Sequence, residues 1–146
     1  MNASSATPGG KSLNSILAKG ANTLSKIYDT LLSFRSDRCA LSCDVSMAYN
    51  GLRLDSTHLK FQRYLWRKDM NPSNPIMVMI ILTLIYGVKP SGQQTTVGFG
   101  RLADYCDEHH PQHKEGSAAL RKAYMDDVAV AAGSLAAAHA TAASLT

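Results

Sequence analysis

Cysteine is scarce in this chain of 146 residues. Cys39, Cys43 and Cys106 are an odd number and too few for a disulfide framework, which points to a reducing compartment. Long apolar runs are missing too: the longest, Ile76 to Tyr86, falls short of the roughly 20 residues that a membrane-spanning helix needs. The opening MNASSATPGGKSLNS has no apolar core of the kind a signal peptide carries. Charged residues make up only 18%, and 15 Lys and Arg against 11 Asp and Glu leave a net charge of +4. That excess permits a polyanionic partner without demanding one. No internal repeat is visible. These absences predict a soluble chain in the cytosol with no membrane partner. The 45% hydrophobic content is enough for a buried core and argues against wholesale disorder.

What is present reads as mixed α and β. Residues 1–11 are a loose mixture of Ser, Thr, Gly and Pro and predict a loop. A helix is predicted from Asn22 as N-cap, because Leu24, Ile27, Tyr28, Leu31 and Leu32 recur at helical spacing. Residues 39–49, CALSCDVSMAY, predict a mostly buried strand with Asp44 near its end, and Asp55 is placed to cap a short turn. The segment 59–68, LKFQRYLWRK, alternates as a strand with one wet face, and two prolines make 71–75 a turn. The run 76–86 predicts a central strand covered on both faces. A helix is expected over 95–108, with Thr95, Phe99, Leu102, Ala103 and Cys106 on one side. A loop at 109–116 and a helical turn at 117–122 follow. Residues 123–133 predict a tight β-hairpin with Asp126 and Asp127 at its tip, and the Ala-rich tail from Ser134 favours helix. The fold class expected is α+β, an antiparallel sheet with helices packed on one face.

Three acids sit where acids are awkward: Asp44 at the end of an apolar strand, and Asp126 and Asp127 inside a hydrophobic hairpin. Carboxylates held together raise one another's pKa unless a cation lies between them. Magnesium suits such a group, being hard, oxygen-seeking, and usually held by one or two carboxylates plus substrate phosphates. Two such ions about 3.5–4 Å apart can activate a hydroxyl and stabilise the leaving oxygen of an in-line phosphoryl transfer. Asp44 and Asp126 lie 82 residues apart, so only neighbouring strands can join them. Adjacent residues on a strand face opposite ways, so a turn must swivel one of the pair. The plainer alternative is an exposed Asp-Asp turn and an Asp44 that caps something local.

Tyr124-Met125-Asp126-Asp127 resembles the YxDD signature of reverse transcriptases, and DVSMAY at 44–49 resembles their earlier aspartate motif. Three further stretches are similar to the Bel/Pao class of retrotransposon polymerases: GGKSLNSILAKG at 9–20 with LLSFRSD at 31–37, RYLWR at 63–67, and IYGVKPSG at 85–92. A YxDD alone is common; these five in family order, over nearly the whole chain, are far more specific. The resemblance implies a partial reverse transcriptase palm with two magnesium ions. Asp44 and Asp126 would hold both ions, Asp127 would sit in or beside their shell, and the carbonyl of Val45 would complete one sphere. Amides near Met47 and Ala48 would hold the incoming triphosphate. Tyr49 falls on the steric-gate position that excludes a 2′-hydroxyl by clash, a rejection that apolar fit alone makes poorly. Tyr124 and Met125 would lie at the primer. The implied partners are a primed RNA or DNA template and deoxynucleoside triphosphates, in the cytosol or a virus-like particle.

The same resemblance divides the chain into 1–21, a loop and fingers remnant, and 22–146, a palm-like core stopping before the thumb. A cationic fingers strand would lie upstream of residue 2, so the fragment is expected to have little polymerase activity alone. Pro90-Ser91-Gly92 departs from the family's Ser-Ser-Pro. Two other function classes remain open. One is a non-catalytic nucleic-acid-binding remnant, with Lys60, Arg63, Arg67 and Lys68 interleaved among Phe61, Tyr64 and Trp66. Against it stands a solvated strand whose rings face the core. The other is a small zinc-stabilised domain built from Cys106, His109, His110 and His113 with Cys39 or Cys43. Against that stands a polar loop with Cys106 packed on a helix face.

Overall fold

The computed structural model describes residues 2–24 and 26–146. It is α+β, with five helices and four strands among the described residues, and the strands form two separate antiparallel pairs rather than one sheet. Strand β1 (Cys39–Asp44) pairs with β4 (Asp127–Ala132), and β2 (Arg63–Arg67) pairs with β3 (Ile76–Ile80). Helices α1 (Leu13–Ile16), α2 (Ile27–Phe34), α3 (Ser91–His109), α4 (Lys114–Leu120) and α5 (Leu135–Ser144) complete the order. No described helix is long and apolar enough to cross a membrane, and Cys39, Cys43 and Cys106 are free thiols.

The core lies against one face of the β1–β4 pair. Cross-strand partners share a face, so Leu41 opposite Val130 and Cys43 opposite Val128 point inward, while Ser42 opposite Ala129 and Asp44 opposite Asp127 point the other way. Val128 and Val130 join Ala48, Tyr49, Leu84, Phe99, Ala119 and Ala123 in the buried cluster. On α3, Thr95, Phe99 and Ala103 are buried, as their spacing predicts, whereas Leu102 is exposed at the edge of that face. Arg121 ties α3 to the residue after α4 by bonding both Asp104 (2.8 Å) and Asp107 (2.7 Å).

Residues 2–11 form only turns, as the loop prediction has it, and a short helix follows them. Ser12 and Ser15 cap each other's amides at the start of α1. The Asn14 side chain donates to the Gly87 carbonyl (2.7 Å) and accepts from the Lys89 amide (2.8 Å), pinning this segment to the turn before α3. Helix α2 starts later than predicted, after Lys26, with neither Asn22 as its cap nor Leu24 inside it. Its apolar residues Ile27, Tyr28, Leu31 and Leu32 are exposed.

Several strand predictions are corrected. The strand expected at 39–49 ends at Asp44, where a turn over 46–51 takes up the backbone bonds. The segment 59–68 begins in a short 3₁₀ turn (Ser56–Phe61), capped as expected by Asp55, whose carboxylate accepts from the Thr57 amide at 2.9 Å. The run 76–86 is a strand only to Ile80, and all five residues of β3 are exposed, not covered on both faces. An apolar run measures hydrophobicity, not coverage, and a two-stranded ribbon has no third strand or helix to cover it. The predicted hairpin at 123–133 has β4 as its second arm, but its main partner is β1, far back in the chain. Only Tyr124 pairs locally, with Asp127. Helices α3 and α4 start earlier than predicted, and α5 forms from Ser134 as its cap.

These burials predict opposite outcomes for two apolar truncations. Phe99→Ala, in the core, is expected to cost about 3–5 kcal/mol by urea unfolding. Val78→Thr, on the exposed ribbon, is expected to change stability by no more than about 0.5 kcal/mol. A large loss at Val78 would mean that β3 is covered after all.

Candidate active site

The register of β1 and β4 brings the distant acids together. Asp44 is the last residue of β1 and Asp127 the first of β4, and the two are direct partners. Opposite residues of an antiparallel pair have Cα atoms about 4.5–5.5 Å apart and side chains on one face. The ladder runs one step further: the Val45 amide donates to the Asp126 carbonyl at 2.8 Å. Asp126 sits in a tight turn closed by Tyr124 N–H to Asp127 O (2.8 Å) and Asp127 N–H to Tyr124 O (3.1 Å). Met125 in that turn has φ 58°, a left-handed conformation that costs a side chain about 1–2 kcal/mol. The turn leaves the adjacent carboxylates in different surroundings: Asp44 and Asp127 are exposed, Asp126 half-buried.

Met47, in the other acidic motif, is also left-handed, with φ 52°. Among the described residues only Asp69 and Met70 share that conformation without being glycine. Strain of this kind persists where surrounding structure over-determines the backbone. The Ala48 amide donates to the Val45 carbonyl at 3.1 Å and Ala48 is buried, so this amide is already engaged. The Val45 carbonyl keeps a second lone pair for another partner.

Tyr49 is 8% exposed, with its ring 4.6 Å from that of Tyr86. Burial, then the Asp126 carboxylate and Tyr86, hold its hydroxyl above the ordinary tyrosine range. A cavity of about 250 Å³ opens beside it, lined by Lys19, Tyr49, Tyr86, Lys89, Gly92 and Met125 among others. Met125 thus reaches the same cavity as Tyr49. Lys19, Tyr86 and Lys89 were not singled out from the sequence. The only signal for them is the punctuation of Gly20 and Gly87, both at positive φ, which turns the chain toward this cavity.

Among the described residues, no three His, Cys, Asp or Glu side chains stand close enough to hold a metal ion between them. The same holds for the cysteines and histidines considered for zinc. His109 instead stacks on Tyr105 with ring centroids 4.3 Å apart, and the rings of His110 and His113 are 6.5 Å apart. The Asp44–Asp127 pair offers only oxygen donors, which suits magnesium, an ion that takes one or two carboxylates and completes its shell with water and substrate phosphate. Asp44 and Asp127 supply such a pair, with Asp126 and the Val45 carbonyl next to them.

The ribbon of β2 and β3 separates rings from cations. Arg63, Leu65 and Arg67 share one face with Ile80, Val78 and Ile76, while Tyr64 and Trp66 share the other with Met79 and Met77. The two classes interleave in sequence but not in space, and the rings are exposed rather than turned to the core. No family model matches the chain, and no match was found among curated proteins or solved structures.

The Tyr49 environment has a measurable consequence. The folded chain favours the neutral phenol, so this stabilisation is full below the ordinary value of 10.0 and is lost as pH rises through the higher folded value. Absorbance titration of the six tyrosines should show one ionising late. Asp126→Asn should bring that one part of the way back, since burial is the larger cause. A Tyr49 that titrates with the others would mean that it is not buried beside Asp126.

Proposed function

We propose that these residues are part of the palm, with a fingers remnant, of an RNA-directed DNA polymerase of the Bel/Pao retrotransposon type. The reaction is transfer of a deoxynucleotide to a primer 3′-hydroxyl with release of pyrophosphate. The observation that carries the proposal is the pairing of Asp44 with Asp127, which joins two acidic motifs far apart in the chain at one sheet end. A chance Asp-Asp turn has no reason to meet the other motif's aspartate in register. Tyr49 lies in the field of Asp126 and lines a common cavity with Met125, which adds support.

Asp44, Asp126 and Asp127, with the Val45 carbonyl, are the residues that would hold two magnesium ions. Bound there, the ions supply charge stabilisation for the attacking and leaving oxygens. Tyr49 walls the nucleotide cavity, where a rigid ring rejects a 2′-hydroxyl by clash. Tyr124 and Met125 hold the end of the primer, and their closed turn sets Asp126 next to Asp127. The partners are a primed RNA or DNA template and deoxynucleoside triphosphates, and the setting is the cytosol or a virus-like particle.

Primer extension on an RNA template with magnesium tests this. The 146 residues alone are expected to incorporate only traces, read at single-turnover enzyme concentrations. Asp126→Asn is expected to lower that incorporation by about 10²–10³, the usual cost of removing one pre-organised charge-stabilising group. Incorporation that is unchanged in Asp126→Asn and in Asp44→Asn overturns the proposal.

A further inference from the structure

A second cavity, of about 470 Å³, lies between the Leu52–Asp55 segment, the Ala18–Gly20 turn and the flank of α3. Lys19, Arg53 and Arg101 line it, together with His58, Gln93 and Gln94. None of the three permanent cations is in an ion pair among the described residues. The one carboxylate in the lining, Asp55, is already bonded to the Thr57 amide at 2.9 Å and hydroxyl at 2.6 Å. Unpaired like charges around one groove repel each other and concentrate anions there.

The backbone is built to bring these cations together. Gly98 lets α3 lie against the Leu52 segment: a Cβ at Gly98 would stand 2.8 Å from the Leu52 side chain. Arg101 follows one turn later on α3, and Arg53 follows Leu52, held by its bridge to Thr83. On the other wall Gly20, at φ 81°, packs against the Gln93 amide, where a Cβ would collide, and this sets Lys19 at the rim. The groove is open, with Lys19, Arg53 and Arg101 all exposed, and it shares Lys19 and Gln93 with the cavity beside Tyr49. A line of phosphates entering here leads to the candidate active site.

We propose that this groove binds the phosphodiester backbone of a single-stranded nucleic acid, with Lys19, Arg53 and Arg101 each neutralising a phosphate. The identity of that strand as the template rests on the polymerase proposal; the charge of the groove does not. The interaction is with backbone, so it is independent of base sequence and sensitive to salt.

The test is fluorescence anisotropy with a labelled single-stranded oligoribonucleotide of mixed sequence. Three phosphate contacts on a single strand give a salt slope of about −2, so wild type is expected to lose roughly twentyfold in this component between about 50 and about 200 mM salt. Lys19→Gln/Arg53→Gln/Arg101→Gln should lose this component. Lys19→Arg/Arg53→Lys/Arg101→Lys should keep it, and Lys11→Gln/Lys26→Gln/Lys114→Gln, with the same net charge as the first variant, should keep most of it. A groove variant that binds no worse than this charge control overturns the proposal. So does competition by inorganic tripolyphosphate that matches the oligonucleotide at equal phosphate, which would mark a site for a small phosphorylated molecule. Asp126→Asn should bind like wild type. If incorporation ignores Asp126→Asn while the groove variant loses RNA, the polymerase proposal falls and this one stands. If incorporation depends on Asp126 while the groove variant binds RNA like wild type, the reverse holds.

Discussion

The polymerase proposal depends on six residues of β1 lying antiparallel to six of β4 in one register. In an antiparallel pair a slip by one residue sends every side chain to the opposite face. Here the register is held by apolar packing. Leu41, Cys43, Val128 and Val130 lie on the inner face, and Val128 is wholly buried. Slipping the pair would drive small and polar outer residues into the core. The same packing therefore places Asp44 beside Asp127, although neither acid contributes to the core. The cost of setting two carboxylates side by side falls on the exposed sheet end, where water and counterions reduce it.

The turn after α4 adds a second constraint. Its closure by two backbone bonds fixes Asp126 behind Asp127, and Met125 accepts a left-handed backbone to permit it. Tyr49 meets this turn from the other acidic motif, buried and within the field of Asp126. One end of a two-stranded ladder thus pairs Asp44 with Asp127 and sets the turn that carries Asp126 against the buried Tyr49, beside a cavity. The core supplies the rigidity and the solvent face supplies the access.

The acids themselves were legible in the sequence because their types and order resemble one family's motifs, and so were the long helix and its buried Thr95, Phe99 and Ala103. That neighbouring strands must join the acids also followed from their spacing, but the register of those strands did not. A strand's partner is set by packing of inward residues across 82 intervening positions, and alternation alone does not say which segment lies opposite. The exposure of β3 was missed because Ile76–Ile80 reads the same whether neighbours cover it or not. The segregation of Arg63 and Arg67 from Tyr64 and Trp66 was legible in the alternation, but the rings expected to face the core are exposed. Lys19, Arg53 and Arg101 are three cations in three separate segments. Only Gly98 and Gly20, where α3 and a turn approach their neighbours closely, mark the places at which those segments meet.

The central claim is that Asp44, Asp126 and Asp127 hold divalent cations as one group. The direct measurement is paramagnetic broadening of backbone amide signals on titration with Mn²⁺ as the magnesium substitute, in the presence of a deoxynucleoside triphosphate. Broadening confined to residues near 44–49 and 124–128, and abolished by Asp44→Asn, is the predicted result. Broadening spread over the surface acids, or unaltered by Asp44→Asn, would contradict it.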